Sequence, residues 1–173
     1  MRESRVHASD LILPVFVLDG QNVVQDVPSM PGVQRLTLDR LFPVAEECVR
    51  AGIPVLALFP VLEQSLKSAD GREALNEKGL VPRVVGALKQ RFPELGIMTD
   101  VALDPYTSHG QDGLLDDTGY IVNDDTVAVL RKQALVQAAA GVDIVAPSDM
   151  PGRIRIFSCG ASARPSSSRS SSR

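Results

Sequence analysis

Fifteen residues from Thr99 to Gly113, TDVALDPYTSHGQDG, hold the densest set of chemistry-bearing side chains in this chain. An apolar run leads into a loop carrying Asp100, Asp104, His109 and Asp112 among turn-forming residues. Carboxylates just past the C-terminal end of a buried strand stand where parallel α/β proteins place their active sites. Asp104 and Asp112 are hard oxygen ligands on one loop, suited to Mg²⁺ and poorly suited to Zn²⁺. On residue type alone, Asp and Gly also serve simply as turn-formers, and His109 as a hydrogen-bonded loop residue. A second strand end, Pro147-Ser148-Asp149, adds a hydroxyl and a carboxylate.

Four apolar runs are read as strands that position this loop: Leu11–Leu18, Ile53–Phe59, Gly96–Leu103 and Val142–Ala146. Their continuous Val, Ile and Leu content predicts strands buried on both faces, as in a parallel sheet. Three helices alternate with them. Thr37 caps the first, which runs through Ala51 to the stop at Gly52. An interior proline costs about 3 kcal/mol, so Pro43 predicts a regular helix only from near Leu41. The second helix covers Val81–Phe92. The third begins at Asn123 or Asp124, with Val127, Leu130, Ala134, Leu135 and Ala138 on its buried face and Gly141 at its end. Gln21–Val33, rich in Pro and Gly, reads as loop.

The β-α-β-α-β-α-β order admits a doubly wound open sheet or a (β/α)8 barrel. Neither GxGxxG nor GxxxxGK[ST] follows the first strand, which favours the barrel. Four strands make half of one. A chain of 173 residues with 44% hydrophobic content can build one core, and its net charge of -3 excludes an electrostatic case for nucleic acid or an anionic membrane. No apolar run is long enough to span a membrane, and MRESRVHASD lacks a secretory core. Cys48 and Cys159 match no metal spacing, and Cys48 reads as a small core residue. A reducing, cytoplasmic setting is expected.

From Ser158 to Arg173 there are eight serines and three arginines and no periodic apolar face. Composition predicts a disordered tail. Its abrupt onset, with Pro151-Gly152-Arg153 where a fourth helix is due, fits a frameshift near codon 150, with a natural flexible tail as the alternative. The expected organisation is a short N-terminal arm over residues 1–10, the first half of a barrel over 11–150, and an unrelated tail over 151–173.

The loop resembles that of porphobilinogen synthase, also called delta-aminolevulinic acid dehydratase. Zinc-dependent members read DVCLCPYTSHGHCG, and their three metal-binding cysteines fall here on Ala102, Asp104 and Asp112. The chain looks like the cysteine-free, magnesium-type branch, DVALDPYTTHGQDG. The segments Asp10–Gly20, Ser29–Gly32, Gly52–Val61, Arg91–Pro105 and Gly141–Met150 resemble the family in the same order, over about residues 3–150. The resemblance implies an aldolase-type (β/α)8 barrel of which about four β/α units are present. It implies a lyase that condenses two molecules of 5-aminolevulinate into porphobilinogen in haem synthesis, with Mg²⁺ rather than zinc, in a homo-octamer. The family's two Schiff-base lysines lie downstream of residue 150, as do its allosteric magnesium carboxylate and its grip on the substrate carboxylates. None of Lys67, Lys78, Lys89 and Lys132 follows a strand as such a lysine would. The chain is therefore expected to be inactive alone. Asp104 and Asp112 are the candidate cation or ammonium partners, with Asp100, His109, Ser148 and Asp149 around them. The competing readings are a non-catalytic fragment that binds full-length subunits and an unrelated doubly wound Schiff-base enzyme.

Overall fold

The computed structural model describes residues 5–149. One six-stranded sheet carries three helices. Its strands are β1 (Ile12–Leu18), β2 (Val24–Asp26), β3 (Gln34–Leu36), β4 (Val55–Val61), β5 (Gly96–Val101) and β6 (Ile144–Pro147), in the spatial order β2-β3-β1-β4-β5-β6. All neighbours are parallel except β2 and β3, which are antiparallel. Helices α1 (Leu38–Ala51), α2 (Leu80–Arg91) and α3 (Asn123–Ala140) join the parallel strands. This is the α/β alternation expected from the apolar runs. The Ser/Arg tail and the proposed frameshift lie outside the described residues.

The sheet is deeply buried on one face and, apart from Ala57 at 3% exposure, less so on the other. Val15, Val17, Leu36, Leu56, Leu58 and Ile97 alternate toward the helices and pack with Leu41, Ala45 and Cys48 of α1 and Val81, Val84, Val85 and Leu88 of α2. A second cluster joins Val101 and Leu103 to Leu130 of α3. The intervening residues Phe16, Phe59, Met98 and Asp100 are only half-buried, and Ile12 is 48% exposed. Among the described residues no helix covers that face, so the strands alternate with period two.

Other local departures have simple causes. The β2–β3 pair occupies part of Gln21–Val33, which the sequence reads as loop; strands of three residues carry no visible periodicity. Helix α1 starts at Leu38 despite Pro43, because the amides of Arg40 and Leu41 both close on the carbonyl of Thr37 (each 2.9 Å). Thr37 itself turns its hydroxyl to the backbone of Val23 rather than capping the helix. Pro14 lies in the stretch of β1 flanked only by β4, an edge position a strand proline tolerates. Cys48 is a core residue, 2% exposed.

The face of α3 differs most from expectation. Leu135 is 69% exposed and Ala138 is exposed, whereas Gln133 and Gln137 are buried. The two amides, four residues apart on one helical face, are drawn inward by carbonyls at the end of β5.

Candidate active site

The C-terminal end of β5 is clasped from α3. The Gln137 side chain donates to the carbonyl of Asp100 (2.8 Å) and receives the hydroxyl of Thr99 (2.9 Å). Gln133 donates to the carbonyl of Ala102 (3.0 Å). Carbonyls at and just past the end of β5 thereby gain side-chain partners. The clasp fixes the backbone on which Asp100 projects to the open face of the sheet. Just past β6, Ser148 donates its hydroxyl to Asp100 (Oγ–Oδ1 2.6 Å).

Beyond Val101 the chain turns on Leu103, which is fully buried and whose carbonyl accepts the amides of Tyr106 and Thr107. This turn throws Asp104 outward. The loop is then sewn to the segment after β4. The Ser68 amide donates to the Tyr106 carbonyl (3.1 Å), and the Ser108 amide donates to the Ser68 carbonyl (3.0 Å). His109 continues the seam. Its Nδ1 accepts the Gln111 amide (3.2 Å), which leaves the ring proton on Nε2 to donate to the carbonyl of Ala69 (3.2 Å). Both ring nitrogens are thus engaged within the loops.

Asp112 is placed by a close approach. A Cβ at Gly113 would stand 2.6 Å from Ile121 Cγ2 and 2.8 Å from Thr126 Oγ1, so only glycine fits. The buried Thr126 hydroxyl accepts the Leu114 amide (2.9 Å) and donates to the Val122 carbonyl (2.7 Å), tying the loop to the first turn of α3.

These supports bring Asp104, Asp112 and Asp149 together, with one oxygen from each within 4.8 Å of the others. Asp149 is 5% exposed and accepts the Leu103 amide (2.6 Å). Burial raises its carboxyl to about 7, and the charges of Asp112, Asp104 and Asp100 add to this against the Leu103 hydrogen bond. Asp104 is raised for the same reasons: loss of solvent first, then Asp112 and Asp100. Mutual repulsion of this kind is relieved by a cation or by a shared proton. The donor set is oxygen only, with no cysteine or histidine in it, which suits a hard cation such as Mg²⁺ better than zinc. Of the six expected site residues, the structure gathers Asp104, Asp112 and Asp149, sets Asp100 and Ser148 beside one another, and turns His109 toward the Ala69 loop.

Beside the carboxylates opens a cleft of about 280 Å³ whose wall includes Phe16, Arg35, Phe59, Lys67, Asp100 and Asp104. The rings of Phe16 and Phe59 lie 5.9 Å apart. Arg35 and Lys67 were not singled out from sequence. Lys67 lies on the loop after β4, and loops at the C-terminal ends of parallel strands form such sites; that position was the available signal.

A model of the Delta-aminolevulinic acid dehydratase family matches residues 1–158. The chain belongs to the delta-aminolevulinic acid dehydratase family. It is 52% identical over 155 residues to the delta-aminolevulinic acid dehydratase of Bradyrhizobium diazoefficiens, covering 89% of this chain and 44% of that protein. It is 45% identical over 161 residues to the chloroplastic delta-aminolevulinic acid dehydratase of Physcomitrium patens, covering 88% and 36%. A crystal structure of the dehydratase from Toxoplasma gondii, in complex with its reaction product porphobilinogen, superposes with a TM-score of 0.83. It shares 46% identity and covers 86% of this chain and 42% of that one. The chain thus spans less than half the length of these dehydratases.

Proposed function

We propose that this chain carries the metal-loop half of a magnesium-type porphobilinogen synthase active site, on the first strands of a (β/α)8 barrel. The whole enzyme condenses two molecules of 5-aminolevulinate into porphobilinogen with release of water. The carrying observation is the triplet Asp104, Asp112 and Asp149 at the ends of β5 and β6, of which Asp104 and Asp112 occupy loop positions where the zinc-dependent pattern has cysteines. Asp104, Asp112 and Asp149 would hold Mg²⁺, which would supply a fixed positive charge to a substrate oxygen or amine. Asp100, oriented by Ser148, forms the wall beside them.

Magnesium binding by the chain tests the site. Calorimetric titration with MgCl2 is expected to show one site, weakened by about ten-fold or more in Asp104→Asn and Asp112→Asn, at least the loss seen when an outer-shell partner is removed. Equal affinity in all three proteins would overturn the assignment.

The chain alone is proposed to be inactive. A Schiff-base lysine needs a depressed pKa from burial or a cationic neighbour, and among the described residues no lysine lies on a strand. Colorimetric detection of porphobilinogen after incubation with 5-aminolevulinate and Mg²⁺ is expected to stay at blank, and turnover would overturn this. A second reading is favoured by Leu11, Ile12 and Ile144, 44%, 48% and 39% exposed at or beside sheet strands. Such apolar edges suit docking to a longer copy of the family, in line with a homo-oligomer. Co-expression with a tagged full-length relative is expected to recover both chains together.

A further inference from the structure

We propose that Lys67 is a tethered counter-charge to the Asp104–Asp112–Asp149 cluster, which competes with a divalent cation there and so sets the affinity of the site. The proposal rests on the reading of that cluster as a Mg²⁺ site and deepens it, assigning control of cation affinity to a residue outside the ligand set. Three carboxylates with oxygens within 4.8 Å of one another repel. A cation held nearby relieves part of that repulsion. Lys67 lines the same cleft as Asp104 and Asp100. It is also the cation whose field reaches Asp104: burial raises that carboxyl first, Asp112 and Asp100 add to the rise, and Lys67 opposes it.

The backbone fixes where this charge is rooted. Lys67 closes the short turn Gln64–Leu66, its amide donating to the Gln64 carbonyl (3.2 Å). The next residue, Ser68, forms a parallel bridge with Thr107. Its amide donates to the Tyr106 carbonyl (3.1 Å) and its carbonyl accepts the Ser108 amide (3.0 Å). Lys67 therefore springs from the segment that supports the loop of Asp104. Its side chain is held by nothing comparable. Although half-buried, it makes no side-chain hydrogen bond or ion pair among the described residues. Lys89, also half-buried, is engaged by Asp143 and by the carbonyls of Pro93 and Leu95. Lys78 and Lys132 are exposed. A lysine is a compact, hydrated point charge on a flexible stem. It can offset the carboxylates and withdraw when a doubly charged ion takes their oxygens. Arg35, the other cation of the cleft wall, supplies a control. It is opposite Phe16, Phe16 is opposite Phe59, and Phe59 is level with Asp100. Three strand spacings of about 4.8 Å each separate the backbones of Arg35 and Asp100, more than the screening length of about 10 Å at 0.1 M salt.

The test is calorimetric titration with MgCl2 of the parent, Lys67→Met, Lys67→Arg and Arg35→Met. Lys67→Met keeps the stem and removes the charge. It is expected to bind Mg²⁺ about ten-fold more tightly at low salt, the effect of one unit charge lying close to a divalent ion. In about 0.5 M tetramethylammonium chloride the gain should shrink to about two-fold. Lys67→Arg, which keeps the charge, and Arg35→Met, which removes a distant one, are expected to stay within about two-fold of the parent. Urea denaturation supplies the second readout. In EDTA, Lys67→Met should unfold at lower urea than the parent, and saturating MgCl2 should close or reverse the gap, because tighter binding stabilises more. Equal or weaker Mg²⁺ affinity in Lys67→Met, or an equal gain in Arg35→Met, overturns the proposal and leaves the magnesium reading standing. A parent chain that takes up no Mg²⁺ overturns that reading, and this proposal falls with it.

Discussion

The carboxylate of Asp149 accepts the backbone amide of Leu103 at 2.6 Å, which joins the end of β6 to the root of the site loop across 46 residues of sequence. The same carboxylate faces Asp104 and Asp112. One residue is therefore both a structural latch and a member of the charged cluster, and the two roles pull its proton in opposite directions. The hydrogen bond favours the charged form, and burial with like charges favours the neutral form more.

Stability without divalent cations should then fall with rising pH. Asp149 titrates near 3.8 when unfolded and at about 7 in the fold. Between those values the unfolded chain has released the proton that the folded chain keeps, so unfolding is favoured as pH climbs. The contribution is fully present below 3.8 and is gone above about 7. Asp104 acts in the same direction. Lowered carboxyls such as Asp19, held down by Arg83, act in the opposite sense, losing their contribution as pH falls. Subtraction isolates Asp149: the difference in urea midpoint between the parent and Asp149→Asn should change steadily from pH 4 to pH 7. A pH-independent difference would show that the folded carboxyl titrates normally.

Gln137 gives a second prediction. Gln137→Ala strands the buried Thr99 hydroxyl and the Asp100 carbonyl together. Leaving buried polar groups unpaired costs about 1–3 kcal/mol each, so a loss of roughly 2–4 kcal/mol is expected in chemical denaturation. Leu135→Ala, at an exposed position, should cost under about 0.5 kcal/mol. The reverse ranking would mean that α3 presents the face its apolar pattern suggests.

That pair of residues shows where sequence reading reaches its limit. The four parallel strands are legible because Val, Ile and Leu cluster in runs bounded by Gly, Pro and Asp, and the site loop is legible because its carboxylates follow such a run. The buried face of α3 is not legible. A helix of mixed Ala, Val, Leu and Gln has no sharp apolar stripe, and its register is decided by two carbonyls, Asp100 and Ala102, over thirty residues upstream. The β2–β3 pair fails for want of length. Arg35 is brought level with Asp100 only through sheet register, a relationship between strands that no single segment carries. Asp149 was legible as a strand-end residue, but its burial depends on Leu103.

Gly113 tests how tightly Asp112 is held. An added methyl would overlap Ile121 and the Thr126 hydroxyl that anchors α3. Gly113→Ala should cost about 1–3 kcal/mol by overpacking and weaken Mg²⁺ binding in calorimetry, because Asp112 moves with its neighbour. Gly110→Ala meets no atom within 4 Å but sits at φ +69, so it reports backbone strain without the clash. Unchanged stability and metal affinity in Gly113→Ala would refute the close packing.

His109 separates support from ligation. With Nδ1 on the Gln111 amide and Nε2 on the Ala69 carbonyl, it joins two loops and leaves no nitrogen for a cation. His109→Ala should therefore leave Mg²⁺ affinity within about two-fold, as expected when no ligand is removed. The seam beside it should loosen, and limited proteolysis is expected to cut faster within residues 64–71 and 104–113, because local opening there exposes backbone without global unfolding. His109→Gln should recover part of the protection, since its amide can still donate to Ala69. A loss of magnesium affinity of about ten-fold or more in His109→Ala, comparable to that in Asp104→Asn, would instead make the imidazole part of the cation site.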